Sequence, residues 1–192
     1  MIKTENFEKV EVASTDQLRN WMMTNHTQKE SIWLVTYKKH VADKYVSVSE
    51  VLDELLCFGW IDGIRRKLDE DKTMQLISPR QTQHWAQTYK VRFAKLEKQG
   101  LVAEAGKASV ARSKENGSWN FMDDVDALIK PVDFIKCLEE NPPAMLNFEK
   151  FGASSKRFIL RWIKLSKTPT TRAKRIKEAA ELAAKNLKIP GL

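Results

Sequence analysis

The sequence predicts an α+β fold: a small antiparallel sheet of about three strands surrounded by helices, followed by a helical C-terminal module. Three observations predict it. The run SIWLVTYKK, 31–39, has the branched and aromatic composition of a strand. Residues 60–80 alternate apolar and polar on either side of a polar turn at 69–72, the pattern of a hairpin. Elsewhere apolar residues recur every three or four positions, which is helical spacing.

In chain order, 15–29 sets Leu18, Trp21 and Met22 at helical spacing, with Ser14 and Asp16 as capping candidates. In the strand that follows, Ile32, Leu34 and Thr36 take one face and Trp33, Val35 and Tyr37 the other, so both faces read as covered. Ser47 or Ser49 caps a helix over 50–58, whose apolar stripe is Val51, Leu52, Leu55 and Leu56. Pro79 ends the hairpin. Helices are predicted over 82–99 and 102–115, with Gly100 and Gly117 as their stops. The polar, acidic stretch 118–131 divides an α+β domain, 1–125, from a basic helical module, 126–192, packed on it. That module holds helices near 132–140, 143–151 and 154–167. A last helix over 171–187 is introduced by Pro169 and closed by Pro190 and Gly191.

A composition of 42% hydrophobic and 30% charged residues is that of a soluble globular chain. The N-terminal MIKTENFEKVEVAST lacks the apolar core of a signal peptide, and no apolar run approaches the roughly 20 residues of a membrane helix. The expected location is the cytoplasm. Cys57 and Cys137 read as buried small hydrophobes, and no Cys/His spacing fits a metal. The net charge of +8 is unevenly placed: 150–192 holds 12 Lys/Arg against 2 acids, whereas 1–149 holds 21 against 23. A basic C-terminal segment favours an anionic partner.

The stretch CFGWIDGIRRKLDED, 57–71, gathers the chemistry. Simple alternation puts Trp60, Asp62, Ile64 and Arg66 on one strand face and Ile61, Arg65 and Lys67 on the other. Arg80 ends the second strand, and His84 and Trp85 open the next helix, a geometry suited to an anion. Two readings stand together: an Asp–Arg pair bracing a core tryptophan, or a ligand pocket of Trp60, Asp62, Arg65, Arg80 and Trp85. No acid, base or nucleophile is visibly paired with Asp62, so no catalytic residue is assigned. No Walker loop, GxGxxG, HExxH or GxSxG motif is present, and no cofactor or metal is expected.

In SSKRFILRWIKLSK, the cations Arg157, Arg161 and Lys164 lie opposite Ile159, Trp162 and Ile163. Arg172, Lys174 and Arg175 then fall in the first turns of a helix, where the dipole disfavours cations and a negative neighbour is expected. Thr170 or Thr171 is the cap expected there. Arg157, Arg161, Thr171, Arg172 and Arg175 are therefore anion-binding candidates, beside the reading of a merely solvated basic face.

LCFGWIDGIRRKLD followed by SPR and a Trp-led helix, together with NPPAMLNFEKF and SKRFILRWIKLSKTPTTRAKRI, resembles the bacteriocin-protection family, also called YdeI-like or OmpD-associated. The similarity runs over about 15–187. It implies a bacterial protein linked to tolerance of antimicrobial peptides or envelope stress, with no catalytic signature. The expected function is non-catalytic binding of an anionic small molecule or acidic partner. The alternatives are nucleic-acid binding by the basic helices, or a small-molecule enzyme with Asp62 as acid or base.

Overall fold

Branched and aromatic side chains fill 32–37, and in the computed structural model, which describes residues 6–189, they form the inner strand β2 (Ile32–Tyr37), five of whose six residues are buried. Among the described residues the sheet has four strands: β1 (Lys9–Glu11), β2, β3 (Trp60–Lys67) and β4 (Lys72–Pro79), in the order β1-β2-β4-β3. β4 is antiparallel to both neighbours, with Ile32 opposite Ile77 and Trp60 opposite Pro79. The α+β class holds, with one strand more than expected. β1 pairs in parallel with β2, and three residues are too few to show alternation in the sequence.

The chain divides into two compact units between Asn120 and Phe121. In the first, α1 (Thr15–Asn25), α2 (Val48–Cys57) and α3 (Gln87–Lys98) supply Leu18, Met22, Leu55, Leu56 and Phe93 to one core with Ile32, Leu34 and Ile77 of the sheet. Ser14 caps α1 by accepting from the Gln17 N–H. Ser47 and Glu50 form a reciprocal capping box on α2. α4 (Glu104–Glu115) approaches the end of α2 backbone to backbone: the Ala103 N–H donates to the Cys57 carbonyl at 3.0 Å, and a Cβ on Gly106 would lie 2.4 Å from that same oxygen.

Two helix boundaries differ most from expectation. α1 ends at Asn25, not near 29, and α3 begins at Gln87, not 82. Before α3, backbone donors are taken by distant carbonyls: Arg80 N–H donates to Gly59 (2.9 Å) and Trp85 N–H to Ser118 (3.2 Å). His84 and Trp85 thus precede the helix instead of opening it.

The second unit is helical throughout: α5 (Asp123–Asp126), α6 (Val132–Glu139), α7 (Ala144–Lys150), α8 (Ala153–Lys164) and α9 (Pro169–Ala184). Its core joins Phe134, Phe148, Ile159 and Ile163 to Ala179, Ala180 and Ala183, whose small side chains let the neighbouring helices pack close to α9. Thr168, not Thr170 or Thr171, caps α9, accepting from the Thr171 N–H at 3.1 Å. Pro169 at the first helical position lacks an N–H and has a fixed φ, so the cap falls to the residue before it. Pro190 and Gly191, expected to close this helix, lie outside the described residues. Both cysteines are free, but Cys137 is only half-buried, contrary to expectation. No helix among the described residues is long and apolar enough to cross a membrane.

Candidate functional site

A bulge in β3 regroups the hairpin side chains. Asp62 pairs with Ile77 and Arg65 with Gln75, so Gly63 and Ile64 together oppose Leu76. The extra residue reverses the phase of the strand. Arg65 therefore joins Asp62 on one face, where alternation had put Arg66. Arg66 turns the other way and lies over the Trp33 ring, 5.2 Å from its centroid.

On the shared face Arg65 donates to the Gln75 amide oxygen at 2.7 Å, and the Gln75 NH₂ reaches Asp62 at 3.5 Å. The Tyr89 hydroxyl donates to the other Asp62 oxygen at 3.1 Å. Arg80 lies behind this chain. It stacks 4.2 Å over Trp85 and 5.8 Å from the Tyr89 ring, and donates from Nη1 to the Gln83 carbonyl at 3.2 Å. Its Nε has no hydrogen-bond partner. Among the described residues no carboxylate pairs with it. Burial pulls its pKa down to about 10, against the pull of Tyr89 and Asp62.

Asp62, Arg65, Arg80 and Trp85 are thus linked through Gln75 and Tyr89, neither of them among the site candidates. Arg80 and Trp85 are buried, however, and only Asp62, Arg65 and Tyr89 offer surface to a ligand. Trp60 is engaged elsewhere. Its indole donates to the His26 carbonyl at 3.1 Å, and its ring meets Trp21 edge-on at 5.7 Å.

That bond helps shape a second feature. A cleft of about 320 Å³ opens beside Gly59, lined by the turn His26–Lys29, by Phe58, Pro79 and Gln81, and by Ala105 and Arg112 of α4. None of its lining residues is acidic. The Trp60 indole ties down the His26 turn. Met22 O accepts from the His26 Nδ1–H at 3.0 Å, which leaves the Nε2 edge for a solute. Gly59 adopts φ 72°, and a Cβ there would lie 2.7 Å from Ser109 Cβ. Only glycine lets α4 come this close, and Arg112 follows on the face of α4 that carries Ala105 and Ser109. Lys29 and Arg112 are exposed, and among the described residues neither has an ion-pair partner.

The C-terminal candidates are largely engaged within their own unit. Arg172 forks onto Asp133 at 2.7 and 2.9 Å, and this bond holds the Asp133 carboxyl below its usual range. Asp133 is the negative neighbour expected of cations at the start of α9. Arg175 donates to the Trp162 carbonyl and lies 5.0 Å over that ring. Arg157 donates to the Asp126 carbonyl at 3.4 Å, and the Thr171 hydroxyl meets that of Thr168 at 2.9 Å. Arg161 is exposed, with no such partner among the described residues.

Residues 10–109 match the family model described as a domain of unknown function, DUF8412, a span of more than half the chain. The chain belongs to the DUF8412 family. Residues 127–186 match the model described as Bacteriocin-protection, YdeI or OmpD-Associated, so the resemblance carried by the C-terminal motifs holds there. No curated protein and no solved structure matches the chain. The DUF8412 span takes in the sheet except Lys9 and every residue of the cleft except Arg112. The bacteriocin-protection span takes in Arg157, Arg161, Thr171, Arg172 and Arg175.

Proposed function

We propose that this DUF8412 protein is a non-catalytic binder of a small anionic ligand, acting in the bacterial cytoplasm in tolerance of antimicrobial peptides or envelope stress. The observation that carries the reading is the cleft beside Gly59, where Lys29 and Arg112 stand without carboxylates among an acid-free lining. Two exposed cations add little singly. An anion that accepts from both forms two charge-assisted hydrogen bonds at about 1.5–3 kcal/mol each. The link to peptide tolerance draws on the description of the C-terminal family match.

The hairpin cluster supports this reading only through Arg65, since Arg80 is buried and Asp62 repels an anion at the same surface. No specific observation favours the alternatives. Lys156, Lys164 and Arg172, which nucleic acid would need, are already paired with Glu149, Asp124 and Asp133. Asp62 accepts hydrogen bonds from Tyr89 and Gln75, and among the described residues no nucleophile or second carboxyl is bonded to it.

Calorimetric titration of the full chain with pyrophosphate tests the proposal. Lys29→Ala and Arg112→Ala are each expected to weaken binding about tenfold, in line with one lost charge-assisted hydrogen bond. Their unfolding midpoints should match the parent, because both side chains are exposed. A double variant that binds pyrophosphate as well as the parent overturns the assignment. Loss of binding in Arg65→Ala alone moves the site to the hairpin.

A further inference from the structure

We infer that a second ligand groove lies between α3 and α4, and that it takes a small amphipathic carboxylate, an apolar body with one anionic head. This does not depend on the cleft beside Gly59, with which it shares no lining residue. The groove encloses about 330 Å³. Its floor is Phe93, Val110 and Trp119, with Ala94 and Ala111 at the sides. Trp119 is fixed from behind: its backbone N–H donates to the Ser113 carbonyl at 2.8 Å, and its ring leans on Trp85 at 4.9 Å. The half-buried indole thus lines the groove from a fixed position.

The rim supplies the charge. The ammonium groups of Lys90 and Lys114 lie 5.2 and 5.4 Å from the centre of the Trp119 ring. Lys107, the third lysine of the lining, is paired with Glu104 at 2.6 Å, and Glu97 is the only acid of the lining, so the rim's charge beyond that pair rests on Lys90 and Lys114. Lys114 has no carboxylate partner among the described residues. A carbon-walled dish with a net positive rim complements an apolar body that ends in a monoanion. Its floor and sides, Phe93, Ala94, Val110, Ala111 and Trp119, carry no side-chain hydroxyl, amide or carboxylate to read a sugar or a base. A volume near the low end for ligand sites, roughly 300 Å³, limits the body to a short acyl chain or a single ring.

The test follows the tryptophan indole N–H signals of the full-length protein by NMR, with octanoate as the probe and octanol as its uncharged analogue. The Trp119 signal is assigned by its loss in Trp119→Phe. Octanoate is expected to shift that signal saturably. Ala111→Trp, which fills the groove from an exposed position, is expected to abolish the shift, and Lys114→Gln to weaken octanoate at least threefold while leaving octanol unchanged. No saturable shift at millimolar octanoate, an undiminished shift in Ala111→Trp, or octanol binding as tightly as octanoate each overturns the inference. Pyrophosphate binding reads the other cleft, so failure of one site is distinguishable from failure of the other.

Discussion

The Arg80 guanidinium stacks 4.2 Å over the Trp85 ring with only 2% of Arg80 and 1% of Trp85 exposed. A cation buried without a carboxylate bears a desolvation penalty that one cation–π contact, about 2 kcal/mol, only partly offsets. A hydrophobic side chain of similar length keeps the packing and removes the penalty. Arg80→Met is therefore expected to unfold within about 1 kcal/mol of the parent or above it, whereas Arg80→Ala, which leaves a cavity, should lose about 3 kcal/mol. The pH sign follows from a base whose folded pKa is depressed to about 10. Charged Arg80 weighs against the fold at every pH below that value and is relieved only as pH rises through it. Urea titrations from pH 5 to 9 should show a constant gap between Arg80→Met and the parent. A gap that varies within that range contradicts the assignment.

Glu54, 7% exposed, is held by Arg19 at 3.0 Å, yet burial raises its pKa above the usual value more than Arg19 lowers it. An acid with a raised folded pKa detracts from stability as pH climbs past its unfolded value. Removing Arg19 removes the main counterweight. Arg19→Met is expected to lose about 2 kcal/mol at pH 7, and clearly less at pH 4 where the carboxyl is protonated. Adding Glu54→Gln should restore part of the loss at pH 7. Chemical denaturation of the parent and the two variants at both pH values checks the sign.

Gly59 and Gly100 have nearly the same left-handed φ, 72° and 73°, but different surroundings. A Cβ on Gly59 would meet Ser109 Cβ at 2.7 Å and Ala105 O at 2.9 Å, whereas one on Gly100 meets nothing within 4 Å. Alanine at Gly100 is expected to cost about 1 kcal/mol, the backbone strain alone. At Gly59 the collision with α4 adds to it, for a total of about 3 kcal/mol, and Gly59→Ala should also weaken pyrophosphate binding by displacing Arg112. Equal thermal shifts for the two variants would show that α4 yields without resistance.

How much the sequence reveals follows from the range of the forces involved. Helices with a local cap and stripe, such as 48–57 with its Ser47–Glu50 box, are written within a dozen residues and are legible. The β3 bulge is not legible, because alternation carries no mark of the one extra residue that moves Arg65 to the face of Asp62. Trp60, Asp62, Arg80 and Trp85 stood out by residue type, but the burial of Arg80 and Trp85 rests on distant partners such as the Ser118 carbonyl that accepts from the Trp85 N–H. Lys29 and Arg112 are ordinary surface cations in the sequence, 83 positions apart, and only the close approach at Gly59 brings both to one cleft. The glycine was visible. Its consequence was not.

Arg172 meets Asp133 through two bonds, a geometry that fixes the start of α9 against the first turn of α6. Both side chains keep substantial exposure, 33% and 49%, so solvent screens the pair and its contribution is modest, about 0.5–1 kcal/mol. The sign with pH is definite. The bond to Arg172 lowers the folded pKa of Asp133, so the contribution is present above the unfolded carboxylate value and fades as pH falls through the folded one. Asp133→Asn should remove it at pH 7, with an effect that shrinks as pH falls through the folded value. The same substitution leaves Arg172 facing the positive end of α9 without its anion, where the dipole disfavours it. Asp133→Asn should therefore be more destabilising than Arg172→Gln, which removes both the bond and the unfavourable charge. A double-mutant cycle in low and high salt separates the terms: a coupling that survives molar salt assigns the effect to packing, not to charge.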